Sequence, residues 1–180
     1  DFEGFKFELI KTLAIESPVS EDEFMNITED ELVQKIFTDS FAAYKRKAAA
    51  NVEKAFPVVK NVYETQSAQF ENIVIPFTDG FRTLQTVVNL KKSYETNGSV
   101  IADVCQKSVT LALIDNEWKE HLREMDDLKQ SVQQAVYEQK DPLVIYKLES
   151  YELFKRMLDK VNRDTISFLV KATIPIGGSN

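Results

Sequence analysis

The sequence predicts a mainly α-helical protein: a long antiparallel helical hairpin, a helical region before it, and a small inserted β-hairpin near 71–89. Three observations carry this prediction. Apolar residues recur at helical spacing over long stretches. Gly and Pro number only five each in 180 residues, too few for a turn-rich β architecture. One β-branched stretch around a turn signal breaks the helical pattern.

The first helix is expected over 3–15, where Phe5, Leu9, Ile10 and Leu13 fall near helical period. Ser17-Pro18 ends it, since the residue before proline avoids the α region. Ser20-Glu-Asp-Glu23 and Thr28-Glu-Asp-Glu31 both fit a capping box, with acidic residues at the positive end of the helix dipole. A long helix should follow Thr28, with Leu32, Ile36, Phe37, Phe41 and Tyr44 on one stripe and Lys45-Arg46-Lys47 interrupting it. Pro57 is expected to kink or restart this helix, which then runs to about Phe70.

Ile73-Val-Ile75, the turn signal Thr78-Asp79-Gly80 and the β-prone run Thr83 to Val88 predict the β-hairpin. Asn97-Gly98-Ser99 is a second turn signal. From about Val100 to Val132, Leu111, Ile114, Trp118, His121, Met125, Leu128 and Val132 alternate in steps of 3 and 4, a coiled-coil-like seam broadened by Leu122. At 1.5 Å per residue that helix is roughly 50 Å long. The loop from Gln134 to Lys140 follows. Asp141 can cap the next helix, and Pro142 suits its first position. Phe154, Met157, Leu158, Val161, Thr165 and Phe168 then line one face until Ile174-Pro175. Two seamed helices with a short connection should pack antiparallel.

Composition excludes several classes. The net charge of −7 argues against nucleic-acid binding by the chain as a whole. A single cysteine, Cys105, can form no intrachain disulfide, so a reducing compartment is the simplest expectation. No run of 18 apolar residues is present. The first residues lack a basic start and an apolar core, so they do not read as a signal peptide. The missing initial Met and the trailing Gly177-Gly178-Ser179-Asn180 read as a piece of a larger chain.

Catalytic chemistry is sparse. The glycines are too scattered for a phosphate loop or a dinucleotide fingerprint. One His and one Cys cannot make a structural zinc site, so neither cofactor nor metal is expected in this segment. His121 sits on the seam, which favours a packed or partner-facing residue over a catalytic one. Glu120 and Glu124 lie one turn apart and read as a solvated row. Trp118 could anchor a partner, although its seam position favours packing. Tyr137 sits beside Val136 in the loop between the long helices. It either packs back over the hairpin end or is presented as an interaction tip.

The run Leu113-Ile-Asp-Asn-Glu-Trp118-Lys-Glu-His-Leu-Arg-Glu-Met125-Asp-Asp-Leu-Lys-Gln130 closely resembles the SecA preprotein translocase family. Tyr137-Glu-Gln-Lys-Asp-Pro142-Leu-Val-Ile-Tyr146-Lys-Leu-Glu-Ser150 does so too, and the match covers about 111–171. Tyr44-x-Arg46-Lys47 resembles the end of that family's helical wing, and 1–40 looks like the rest of it. The resemblance implies a wing over 1–56, a junction with the inserted hairpin over 57–100, a two-helix finger over 101–174 and a disordered tail over 175–180.

By the same resemblance, the finger loop of Val136, Tyr137, Glu138, Gln139 and Lys140 contacts the translocating polypeptide. Trp118, His121 and Met125 are packing or partner-facing residues of the finger. The implied partners are the SecY channel complex, unfolded preproteins and the remaining SecA domains. ATP and magnesium would be bound by the parent and not by this segment. The implied location is the cytoplasm and the inner face of the bacterial plasma membrane, where the parent is peripheral. The motor domains, the clamp and the long first scaffold helix are absent, so an exposed apolar stripe is expected on the 100–132 helix, open to cover by self-association. The 57–100 stretch is longer than in compact members of the family, and the resemblance assigns it no role. A generic helical adaptor binding a partner helix along the seam fits composition and periodicity equally well.

Overall fold

The computed structural model describes residues 1–134 and 141–175. The elements run α1 (Phe2–Leu13), α2 (Glu21–Phe24), α3 (Glu29–Gln66), β1 (Asn72–Thr78), β2 (Thr83–Asn89), α4 (Leu90–Glu95), α5 (Ser99–Gln134) and α6 (Pro142–Lys171). The chain is mainly helical with one small antiparallel sheet, as its sequence predicts. It forms two compact units. One takes Asp1–Val109 with the stretch from Ile166 onward, the other Thr110–Thr165. The divisions expected at 56/57 and 100/101 fall inside α3 and α5. The expected tail beyond Pro175 lies outside the described residues.

In the first unit, helix ends follow the local signals. Asp1 Oδ1 accepts from the Gly4 amide at 3.2 Å, and Ala14 closes α1 in the left-handed region at φ 53°. Ser20 caps α2 by accepting from the Glu23 amide. Phe24 then stacks on Phe5 at 4.7 Å, joining α2 to α1. Thr28 and Glu31 form the reciprocal capping box of α3. The Thr28 hydroxyl and amide bonds to its carboxylate hold Glu31 below the usual carboxylate range.

The restart expected at Pro57 is corrected: α3 runs through it without interruption. Proline inside a helix removes one amide donor and costs about 3 kcal/mol. Here Pro57 and Glu53, whose carbonyl loses that donor, are both exposed, so water can serve the freed oxygen. The opposite side of the same turns is anchored by Ala55 and Val59, which are buried.

The β-hairpin pairs Asn72 with Asn89 through Thr78 with Thr83. Its inward residues, Ile75, Phe77, Thr86 and Val88, are buried. The turn is fixed by side chains. Asp79 Oδ1 accepts from the amides of Phe81 at 2.9 Å and Arg82 at 2.7 Å. Thr78 Oγ1 accepts from the Gly80 amide at 3.1 Å. Gly80 has φ +96°, which favours glycine. Burial pushes the Asp79 carboxyl up, but those two amides and the Arg82 charge outweigh it and hold it below its ordinary value.

Helix α4 is not foreseen by periodicity, because six residues are too few to show a period. Its signal is chemical: Asn89 Oδ1 caps it by accepting from the Lys92 amide at 2.9 Å. Leu90 and Ser93 are buried, and Tyr94 stacks on Tyr63 of α3 at 4.2 Å. The chain then turns at Gly98, with φ +81°, where a Cβ would meet Val52 Cγ1 at 3.0 Å.

The unit closes where α6 ends. Asn51 is buried in the middle of α3. Its Nδ2 donates to the Ala172 carbonyl at 2.8 Å, and its Oδ1 accepts from the Ile174 amide at 3.2 Å. Between these bonds, Thr173 exchanges both main-chain bonds with Thr78 of β1, each at 2.9 Å. One buried amide thus serves 172–174 on one side and β1 serves it on the other.

Asn51→Ala strands the buried Ala172 carbonyl and the half-buried Ile174 amide, so it should lower stability by about 3 kcal/mol in a urea titration. Asp79 should contribute turn stability that is complete above the ordinary aspartate value of about 3.9 and lost as pH falls through its lowered value. Hydrogen exchange at the Phe81 and Arg82 amides, corrected for intrinsic rate, should accelerate across that window. In Asp79→Ala it should be fast throughout.

Candidate functional site

The second unit consists of parts of α5 and α6 flanking the 135–140 loop. Asp141 begins α6, with Oδ1 accepting from the Leu143 amide at 2.9 Å. Pro142 occupies the first helical position, where its missing amide costs nothing. The two helices run antiparallel within the unit, since Glu117 meets Lys160, His121 meets Phe154 and Glu124 meets Arg156.

Lys160 Nζ donates to both Glu117 oxygens, each at 2.7 Å. The Glu117 side chain is only 16% exposed. This hydrogen bond and the Glu117 charge raise the Lys160 pKa above its ordinary value. The remaining pairs on α5, such as Asp115–Lys119 and Glu120–Arg123, lie on exposed surface and are worth little. Glu120, read from sequence as part of a solvated row, is one of them.

His121 is 6% exposed. Its ring lies 5.5 Å from Trp118 and 6.0 Å edge-on from Phe154, and Nδ1 has no hydrogen-bond partner among the described residues. Trp118 is 45% exposed, and Met125 is half-buried. The five loop residues, Val136 to Lys140, lie outside the described residues. The structure therefore groups Trp118 with His121 on the hairpin side and leaves the loop undescribed.

The expected stripes are buried only in part. On α5, the seam residues His121 and Val132 are buried and Met125 and Leu128 are half-buried. Ile101, Cys105, Val109 and Leu113 are buried outside the seam, while the seam residues Leu111, Ile114 and Trp118 are exposed together with Leu122. On α6, Leu153, Val161 and Phe168 are buried, while Phe154 and Leu158 are exposed. The cause is that each helix carries two apolar stripes. Sequence spacing finds an apolar stripe without telling which one the neighbouring helix covers. Val144, Leu148 and Tyr151 continue the exposed stripe of α6 toward its start. The missed cross-helix pair Glu117–Lys160 has no local signal, because its members are 43 positions apart.

Among the described residues no group of three or more His, Cys, Asp or Glu side chains could hold a metal ion. Burial pushes the Cys105 thiol up to about 11, against a smaller lowering by the Thr86 hydroxyl, so it is a poor nucleophile. No described helix is long and apolar enough to cross a membrane.

The SecA Wing and Scaffold domain family model matches residues 2–173. The chain belongs to the SecA family. It is 51% identical over 179 residues to the protein translocase subunit SecA of Christiangramia forsetii, covering 99% of this chain and 16% of that protein. It is 53% identical over 176 residues to the SecA of Parabacteroides distasonis, covering 98% and 16%. The Porphyromonas gingivalis SecA is 48% identical over 176 residues, with 98% and 16% covered. The chain thus spans about one-sixth of the length of these SecA relatives. No solved structure matches it.

Lys160→Met should remove the cross-helix ion pair and lower stability by about 1 kcal/mol. Because the folded Lys160 pKa is raised, its contribution is complete below the ordinary lysine value of about 10.4 and is lost as pH rises through the folded value. Denaturation midpoints of the two proteins should therefore converge above that pH.

Proposed function

We propose that this chain is a non-catalytic mechanical part of a SecA motor that drives ATP-dependent translocation of preproteins through the SecY channel. The observation that supports this reading best is the antiparallel α5–α6 hairpin, cross-linked by Glu117 and Lys160 and carrying the 136–140 loop between its helices. In the proposal, a stiff hairpin holds Tyr137 against an unfolded chain. An aromatic ring with a polar hydroxyl can contact many side chains without sequence preference, which suits a substrate-blind pusher. Val136, Glu138, Gln139 and Lys140 form the rest of the contact. ATP and magnesium act in other domains of the parent, and the parent sits at the inner face of the plasma membrane.

The exposed stripe of Leu111, Ile114, Trp118 and Leu122 favours a second reading, a helical adaptor whose function is to bind a partner helix. Photo-crosslinking from position 137 separates the two. A photoreactive residue replacing Tyr137 in the longer parent should crosslink to a stalled preprotein or to the channel, and only when ATP is supplied. Crosslinks confined to the chain itself would make Tyr137 a packed cap and leave the adaptor reading. A crosslink to a folded helical partner without ATP would favour the adaptor directly.

A further inference from the structure

We propose that the outer edge of β1, with the apolar groove beside it, is a docking site for an extended polypeptide segment that adds as an antiparallel strand. The backbone directions follow from Thr78. Its N–H and C=O both bond to Thr173, away from β2. Inward and outward residues alternate along an antiparallel strand, so Pro76, Val74 and Asn72 face the same outer edge. Glu71 agrees from the other side, since its carbonyl accepts from the Leu90 amide at 2.9 Å. The outward groups of Val74 take no partner among the described residues.

A groove of about 410 Å³ runs beside this edge, lined by Val58, Val62 and Phe70 on one side and by Val74 and Ile174 on the other, with Lys54 its one charged residue. Val58, Val74 and Phe70 are 62%, 54% and 47% exposed.

The occupant follows from the edge. Thr173 already seats one residue of extended chain on it, which shows the pairing the edge accepts. In that register position 175 would oppose Pro76, and both are proline, so neither can donate. Among the described residues the pairing goes no further, and Val74 and Asn72 are open to another segment. Main-chain pairing supplies affinity without sequence preference, while the groove accepts alternate apolar side chains. A helix could not use the edge, because its main-chain groups are already paired.

The test is fluorescence anisotropy of the purified protein with a short labelled Val/Thr peptide, the same peptide N-methylated at alternate amides, and an apolar helical peptide. The unmethylated extended peptide should bind saturably and slow exchange at the Val74 amide, and the methylated one should not bind. Val58→Asp places a carboxylate on the groove wall and should weaken binding at least about tenfold. As Val58 is exposed, the variant should keep its fold, which circular dichroism checks. Val33→Asp, on a distant turn of α3, should bind like the unaltered protein. Absence of saturable binding, equal binding of the methylated or helical peptide, or an unaffected Val58→Asp would each overturn the proposal. The assay involves neither the 136–140 loop nor a channel, so its failure would leave the proposed finger role standing.

Discussion

The first unit depends on a single buried amide. Asn51 is an expensive residue at mid-helix, because its side chain competes for backbone bonds and must be desolvated. It is tolerated because both of its polar atoms are used, on Ala172 and Ile174, more than a hundred positions away. The bonds convert the end of α6 into extended chain, which places Thr173 opposite Thr78. The hairpin is thereby tied to α3 and α6 together, and Phe77 and Phe168 come to full burial in the same unit. An apolar residue at 51 could fill the volume but could not turn the chain, since the 172 carbonyl and the 174 amide would then have no partner.

How much of this was legible in the sequence depends on how local each cause is. The Thr28 capping box, the Asp141-Pro142 helix start and the Thr78-Asp79-Gly80 turn are contained in a few adjacent residues, and the structure has all three. The hairpin strands were equally readable, because β-branched residues flank a turn signal. Continuity through Pro57 was not readable, because it depends on which side of α3 faces water. Helix α4 was too short for its period to appear. The Asn51 tie and the Glu117–Lys160 pair join positions far apart, and nothing in their neighbours marks them. Of the candidate site, family membership was legible from the Leu113–Gln130 and Tyr137–Ser150 runs. The exposure of Trp118 was not, because a seam position looks the same whether or not a helix covers it.

The two apolar stripes on α5 carry a physical implication. One stripe suffices to pack a surface helix, and a second exposed stripe costs solubility without adding to the core. Leu111, Ile114, Trp118 and Leu122 recur at steps of 3 and 4, the spacing of a helix face. The exposed residues of α6 from Val144 to Leu158 keep a similar spacing. Scattered exposed apolar residues are ordinary on a protein surface, but periodic ones on both helices of one unit describe a face.

That face also bears on His121. A buried imidazole with an unpartnered Nδ1 is unfavourable in an apolar setting, and Trp118 and Phe154 flank it while remaining half open. A hydrogen-bonding group reaching Nδ1 past these half-open rings would satisfy it. In the proposed reading, the hairpin is one layer of a packed assembly and not a finished surface. Within the unit, the Glu117–Lys160 pair ties α5 to α6 without a third partner. In the proposed mechanical role, that tie would help the hairpin keep its shape whatever covers its apolar face.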